Sequence, residues 1–190
     1  MPPKPKITRE MIIDAAVEVI RKQGFENINA RALAEHLQCS TQPVMYHFST
    51  MEELKQAAYD KVDHLHTEYL LRVSDETDPM LGIGLNYIRF AVEEPNLFRF
   101  LFQSGYVKEK NLFEMVEAEE VMPILQVLQG ELEMDIHKTK EIFLIVAMFV
   151  HGYASIIANN HLAFDEKTAA YYLKQSFIGA VAAYKQEENR

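Results

Sequence analysis

The 190-residue chain has a single cysteine, which excludes an intramolecular disulfide framework. The spacings of common active sites are absent too: there is no GxSxG, no P-loop and no HExxH, and Cys39 has no evident catalytic partner. An enzyme is therefore not expected, nor a cofactor. His64 and His66 stand two apart on an expected helix and diverge, which speaks against a metal pair. Cys39 reads as a small buried hydrophobe in a turn rather than a redox sensor. There is no internal repeat and no low-complexity run. The N-terminus is rich in proline and lysine without an apolar stretch, so no signal peptide is expected and the cytoplasm is the expected compartment. One apolar run, residues 142–158, raises the question of a membrane. At about 1.5 Å per residue it falls short of a ~30 Å hydrocarbon layer, and His151 lies inside it, so a buried helix is expected and no membrane partner.

What is present begins with charge. The chain carries a net −9, yet residues 1–62 hold eight basic and eight acidic side chains, leaving the whole excess to residues 63–190. An acidic protein binds nucleic acid only through a local basic surface. Residues 1–9 supply Lys4, Lys6 and Arg9 with no acid, and Pro2, Pro3 and Pro5 keep the stretch extended, as an ordinary disordered tail or as a minor-groove or phosphate-tracking arm.

The stretch INARALAEHLQCSTQPVMYHFSTMEEL, from Ile28 to Leu54, predicts two short helices joined by a tight turn. Asn29 is placed to cap the first, whose apolar Leu33, Ala34 and Leu37 fall on one face. Ser40 is placed to cap the second, which runs toward Phe48 with Pro43 in its first turn, where a missing N–H costs nothing. Val44 and Phe48 then pack back on Leu33 and Leu37, leaving Thr41, Gln42, Pro43, Tyr46 and His47 outside. Upstream, Thr8 caps a helix over residues 9–23 that stops at Gly24. Downstream, Ser49 with Glu52 or Thr50 with Glu53 fits a capping box that opens a fourth helix reaching about Ser74.

The helix, the Gly-Phe step, INARALAEHL, PVMYHF and MEEL together resemble the N-terminal DNA-binding region of the TetR (tetracycline-repressor-like) family over roughly the first third of the chain. The resemblance implies that Arg31, Thr41, Gln42, Pro43, Tyr46 and His47 face an operator. Lys4, Lys6 and Lys55 complete the expected DNA-binding set. Three positions depart from the family pattern: Gln38 replaces a frequent turn glycine, Met45 a frequent tyrosine, and Met51 a frequent lysine opening the fourth helix.

Beyond residue 63 the pattern is helical throughout. Asp78-Pro79 opens a helix to about Glu93, and Pro95 restarts the chain. Leu97, Phe98, Phe100, Leu101 and Phe102 cannot share one face, so that segment must be surrounded. A helix over about 108–134 is expected, with Pro123 as a kink. Tyr87, Phe90, Phe98, Phe102, Phe113, Met115 and Met122 could be plain core or line an apolar cavity. His151 is a core residue or a polar anchor for an effector. Gly152 and Ser155 in the apolar helix allow close approach of another helix. With Phe177, Ala180 and Tyr184 of a final helix over about 166–185, they are assigned to a two-fold dimer interface.

The chain is accordingly expected to be all-α. An N-terminal helix-turn-helix domain (1–62) is followed by a larger helical effector-binding and dimerisation domain (63–190). The expected partners are double-stranded operator DNA, an unidentified small effector and a second copy of the chain. The alternative is a helical small-molecule-binding or protein-interaction module with weakened DNA binding.

Overall fold

The computed structural model describes residues 7–73, 78–160 and 162–187. Lys4 and Lys6, and most of the polar stretch 74–78, lie outside the described residues. Within them there are ten α-helices and no strand. They are α1 (Arg9–Gln23), α2 (Ala30–His36), α3 (Gln42–His47), α4 (Met51–Leu70) and α5 (Pro79–Glu93), then α6 (Pro95–Gln103), α7 (Leu112–Glu117), α8 (Met122–Leu132), α9 (Ile136–Asn160) and α10 (Glu166–Glu187). They pack as two units, one of residues 7–65 with 94–107 and one of residues 66–93 with 108–187.

In the first unit α1 is held at both ends by its own sequence. Thr8 Oγ1 accepts the Met11 N–H, and Gly24, at φ 86°, returns its N–H to the Ile20 carbonyl. Ile12, Ile20, Leu33, Val44, Phe48 and Leu54 are fully buried and bind α1, α2, α3 and the start of α4 together. At about 25 cal/mol per Å² of apolar surface, such side chains carry most of the driving force for this packing. Residues 94–107 belong here as well. Arg21 donates through Nε to both Glu94 oxygens, at 3.0 and 2.9 Å, and Asn96 donates to the Arg21 carbonyl at 3.0 Å. Phe100 is buried among Phe25, Tyr59 and Tyr106, each ring centroid 5.8 Å away. This explains an α6 that is apolar on several sides.

In the second unit α5 and α9 pack on each other and each packs on α8 and α10, burying Ile83, Ile88, Leu125, Leu128, Ile142, Val146 and Leu173. A Cβ at Gly84 would lie 2.5 Å from Leu173 Cδ2, so this glycine lets α5 approach α10 closely. α9 is long and apolar enough by length and composition to cross a membrane, with a third of its apolar window buried.

Three expectations about elements are corrected. The fourth helix stops at Leu70 rather than near Ser74, because the Asn86 side-chain amide donates to the carbonyls of Tyr69, Leu70 and Arg72 and satisfies that end. The helix expected over 108–134 is two, α7 and α8. Asn111 caps α7 by accepting from Phe113 and Glu114. A 3₁₀ turn at Glu119–Val121 separates them, and Pro123 falls in the first turn of α8, where it starts a helix instead of kinking one. Finally, α3 begins after Thr41 without a side-chain cap, so Ser40 does not cap it.

Candidate nucleic-acid interface and effector site

The reading head is built from local signals that agree with one another. Asn29 Oδ1 accepts from Arg31 at 3.1 Å and Ala32 at 3.0 Å, starting α2. The turn after it depends on Gln38, which sits at φ 52°, the left-handed conformation that glycine adopts most easily. The Cys39 N–H then donates to the Ala34 carbonyl at 2.9 Å, and Cys39 is partly buried in that turn. At the far end Glu53 reaches back to the Ser49 N–H at 2.9 Å while its own N–H is taken by Thr50 Oγ1 at 3.1 Å, so the Thr50–Glu53 register forms.

These constraints fix which face of α3 is turned outward. Val44 and Phe48 are buried, at 0% and 1% exposure, whereas Thr41, Gln42 and Met45 are exposed and Tyr46 is 82% exposed. Its ring meets that of His47 edge-on at 5.2 Å, and its exposed hydroxyl can donate a hydrogen bond to a partner. Arg31 is also exposed, and Pro43 is partly covered. Two of the expected DNA-facing residues are already engaged within the protein. His47 Nε2 lies 3.0 Å from the Ile7 carbonyl, and Lys55 Nζ lies 3.2 Å from Glu52 Oε1.

In the second unit Tyr87, Phe90 and His151 come together. The Tyr87 hydroxyl lies 2.8 Å from His151 Nδ1, and the buried His66 ring meets Tyr87 and Phe90 edge-on at 5.1 and 4.8 Å. Burial, with the charge of His151 adding to it, pushes the His66 imidazole down to about 3. Burial also lowers His151. Burial thus favours the neutral form of both rings, and the Tyr87 hydroxyl and His151 Nδ1 share a hydrogen bond. His66 was not among the expected site residues. It had a signal: Leu54, Ala58, Val62, His66 and Leu70 recur every four residues and all are buried on α4. The remaining expected lining residues are placed differently. Phe98 and Phe102 belong to the first unit, with rings 4.8 Å apart; Phe113 is 74% exposed on α7, and Met122 opens α8 partly buried. A cavity of about 270 Å³ in the second unit is lined by Asp78, Met80, Glu131, Val146, Leu173 and Phe177 among others, and not by Tyr87 or His151.

The outer faces of α9 and α10 carry exposed apolar side chains. Ile145, Met148 and Ile156 follow one stripe of α9 with Gly152, and Tyr171 and Ile178 follow one stripe of α10. Of the residues assigned to an interface, Gly152, Ser155 and Phe177 are partly buried, Ala180 is already buried, and Tyr184 donates to Glu141.

Fold and head geometry together define a helix-turn-helix regulator with an all-helical second region. Residues 12–58 match the model of bacterial regulatory proteins of the tetR family, and residues 80–175 match that of the tetracyclin repressor-like C-terminal domain. The chain belongs to the TetR family of DNA-binding transcriptional regulators, which are not enzymes. A nicotine-responsive transcriptional repressor, HdnoR, of Paenarthrobacter nicotinovorans is 32% identical over 76 residues, which are 40% of this chain and 39% of that protein. An HTH-type transcriptional regulator of Saccharopolyspora erythraea is 34% identical over 59 residues, 31% of this chain and 25% of that protein. The matches thus span a quarter to two-fifths of these relatives' length. Among solved structures, a tetR-family regulator from Streptomyces coelicolor superposes with a TM-score of 0.71 at 14% identity, covering 98% of this chain and 86% of that one. The multidrug binding protein EbrR complexed with ethidium superposes with a TM-score of 0.63 at 18% identity, covering 88% and 97%.

Proposed function

We propose that this regulator is a ligand-responsive repressor that binds a palindromic operator as a homodimer in the cytoplasm and is released by a small apolar or amphipathic effector. The observation that carries the reading is α3, whose inner residues Val44 and Phe48 are buried while Thr41, Gln42 and Tyr46 are presented to solvent. Residues 1–62 serve as the DNA-binding domain, with Lys4, Lys6, Arg31 and Lys55 toward phosphates and α3 in the major groove. Residues 63–190 serve effector binding and dimerisation. Tyr87, Phe90 and His151, with Phe113 and Met122 of the same unit, form the effector site. Gly152, Ser155, Phe177, Ala180 and Tyr184, with the exposed stripes beside them, form the interface. That HdnoR is nicotine-responsive and EbrR binds ethidium supports a small organic effector. By linkage, the effector must favour the state with low operator affinity by the same factor by which it weakens DNA binding.

Met45, 48% exposed on α3, favours a second reading in which the head has lost DNA affinity and the chain acts as a small-molecule-binding or interaction module. Selection of random duplex DNA on the purified protein at physiological salt separates the two. Repression through a dimer predicts an enriched palindrome with half-sites about one helical turn or slightly more apart. Uniform or missing binding would favour the module.

A further inference from the structure

The side chains that α3 turns outward are few, and their chemistry is narrow. From Ser40 to His47 the sequence STQPVMYH has no lysine, arginine, aspartate or glutamate. Val44 is fully buried, Pro43 is partly covered, and His47 is partly buried with Nε2 3.0 Å from the Ile7 carbonyl. Gln42, Met45 and Tyr46 are the exposed residues of the helix, with Thr41 exposed just ahead of it. These three stand at i, i+3 and i+4, so they share one face.

Each base pair shows a different edge in the major groove, and this set of side chains matches only some of them. Guanine is held best by the paired donors of arginine or lysine, and the cytosine amino group by a carboxylate. α3 carries none of these four residue types. What it carries fits the A·T pair. A glutamine amide donates to adenine N7 and accepts from the N6 amino group at once, and an apolar side chain packs on the thymine methyl, which cytosine lacks. Met45, 48% exposed, is unbranched and can mould to such a methyl. Along the helix Gln42 and Met45 are about 4.5 Å apart, little more than the ~3.4 Å between stacked base pairs, so they reach neighbouring pairs.

We propose that Gln42 and Met45 are specificity-determining residues that select A·T pairs at two neighbouring positions of each half-site, Gln42 by pairing with adenine and Met45 by covering a thymine methyl. This rests on the reading of α3 as the DNA-facing helix. Met45 is then part of the reader rather than a sign of lost affinity. Arg31 and Lys55 lie off α3, on α2 and α4, and as phosphate contacts they supply affinity without sequence preference.

The test uses the full chain and the duplex recovered from the DNA selection, and it alters single atoms of the bases in one half-site. Uracil in place of thymine removes only the methyl, and 7-deazaadenine in place of adenine removes the N7 acceptor. The selected half-site is expected to hold A·T pairs at two neighbouring positions. Uracil at one is expected to weaken binding by the native chain about fourfold, the worth of one buried methyl, and to leave binding by Met45→Ala unchanged. 7-Deazaadenine at the other is expected to weaken binding by the native chain about tenfold and to leave binding by Gln42→Ala unchanged. A palindrome without neighbouring A·T pairs would overturn the proposal and leave the reading of α3 standing. So would base changes that cost the native chain nothing, or penalties that persist in full in the alanine variants. Uniform or missing binding in the selection would overturn the reading of α3 and the proposal with it. Both side chains are exposed, so the variants are expected to melt with the native chain, which separates lost reading from lost fold.

Discussion

The Tyr87 hydroxyl and His151 Nδ1, 2.8 Å apart, tie α5 to α9 through a polar bond set among aromatic rings. Nearby, Asn86 on α5 closes the end of α4, so a change at Tyr87 has a short path to the helix that leads back to the reading head. Tyr87→Phe keeps the ring and removes the bond. It is expected to cost about 1 kcal/mol in urea denaturation, the usual net worth of such a bond. Operator affinity without effector is expected to hold, while the effector concentration that releases half the DNA shifts. An unchanged effector response would remove Tyr87 from the site.

His66 makes stability depend on pH with a definite sign. Its imidazole is pushed down to about 3 in the folded protein, from the usual 6.5. Between those values the unfolded chain binds a proton that the folded chain does not, so stability rises with pH across the window. The contribution is complete above about 6.5 and is lost as pH falls toward 3, at no more than roughly 1.4 kcal/mol per pH unit. Denaturation midpoints at pH 7, 6 and 5 are expected to fall in sequence. His66→Leu is expected to flatten that fall, leaving the smaller slope from His151, which burial also lowers. An identical slope in His66→Leu would place the pH dependence elsewhere.

Gln38 adopts φ 52° in the turn between α2 and α3. For a residue with a Cβ, the left-handed region costs about 1–2 kcal/mol, while glycine gives back part of that gain through the greater freedom of its unfolded chain. Gln38→Gly is therefore expected to stabilise the protein by roughly 0.5–1 kcal/mol. Because the Gln38 side chain is exposed, operator affinity is expected to stay within about twofold. Paired thermal melts and a titration of the operator check both halves. A destabilised Gln38→Gly would mean that the side chain, not the backbone, sustains the turn.

Much of the head was legible because its signals are local. Thr8, Gly24, Asn29 and the Thr50–Glu53 pair each act over no more than four residues, and each does in the structure what its spacing implies. Reading failed where a distant residue decided the outcome. The early stop of α4 depends on Asn86, sixteen positions beyond Leu70, which no pattern within α4 reveals. Pro123 is compatible with either a kink or a helix start, and the choice fell to Asn111, which caps a separate short helix upstream. Membership of residues 94–107 in the first unit rests on Arg21 with Glu94 and on Phe25 with Phe100, pairs separated by more than seventy residues. The two-residue spacing of His66 from His64 carries no information about burial, whereas its four-residue spacing from Val62 and Leu70 places it in the buried stripe of α4.

Ile178 on α10 and Met148 on α9 are 58% and 57% exposed, and each sits on a stripe of apolar side chains that its own unit does not cover. A second copy of the chain, related by a two-fold axis, would cover both. In a symmetric interface every substitution is met twice, so one arginine places two charges in the contact. Ile178→Arg is expected to turn the proposed dimer into a monomer at micromolar concentration in sedimentation velocity, because a desolvated charge without a partner costs several kcal/mol. The side chain is largely exposed within its own chain, so the helical content of the monomer is expected to persist. Operator affinity is expected to fall steeply for the full palindrome and little for a single half-site. Leu112→Arg on α7, where a 48% exposed apolar residue lies off both stripes, serves as the control and is expected to leave the dimer intact. A dimer that survives Ile178→Arg and Met148→Arg together would place the interface on another surface.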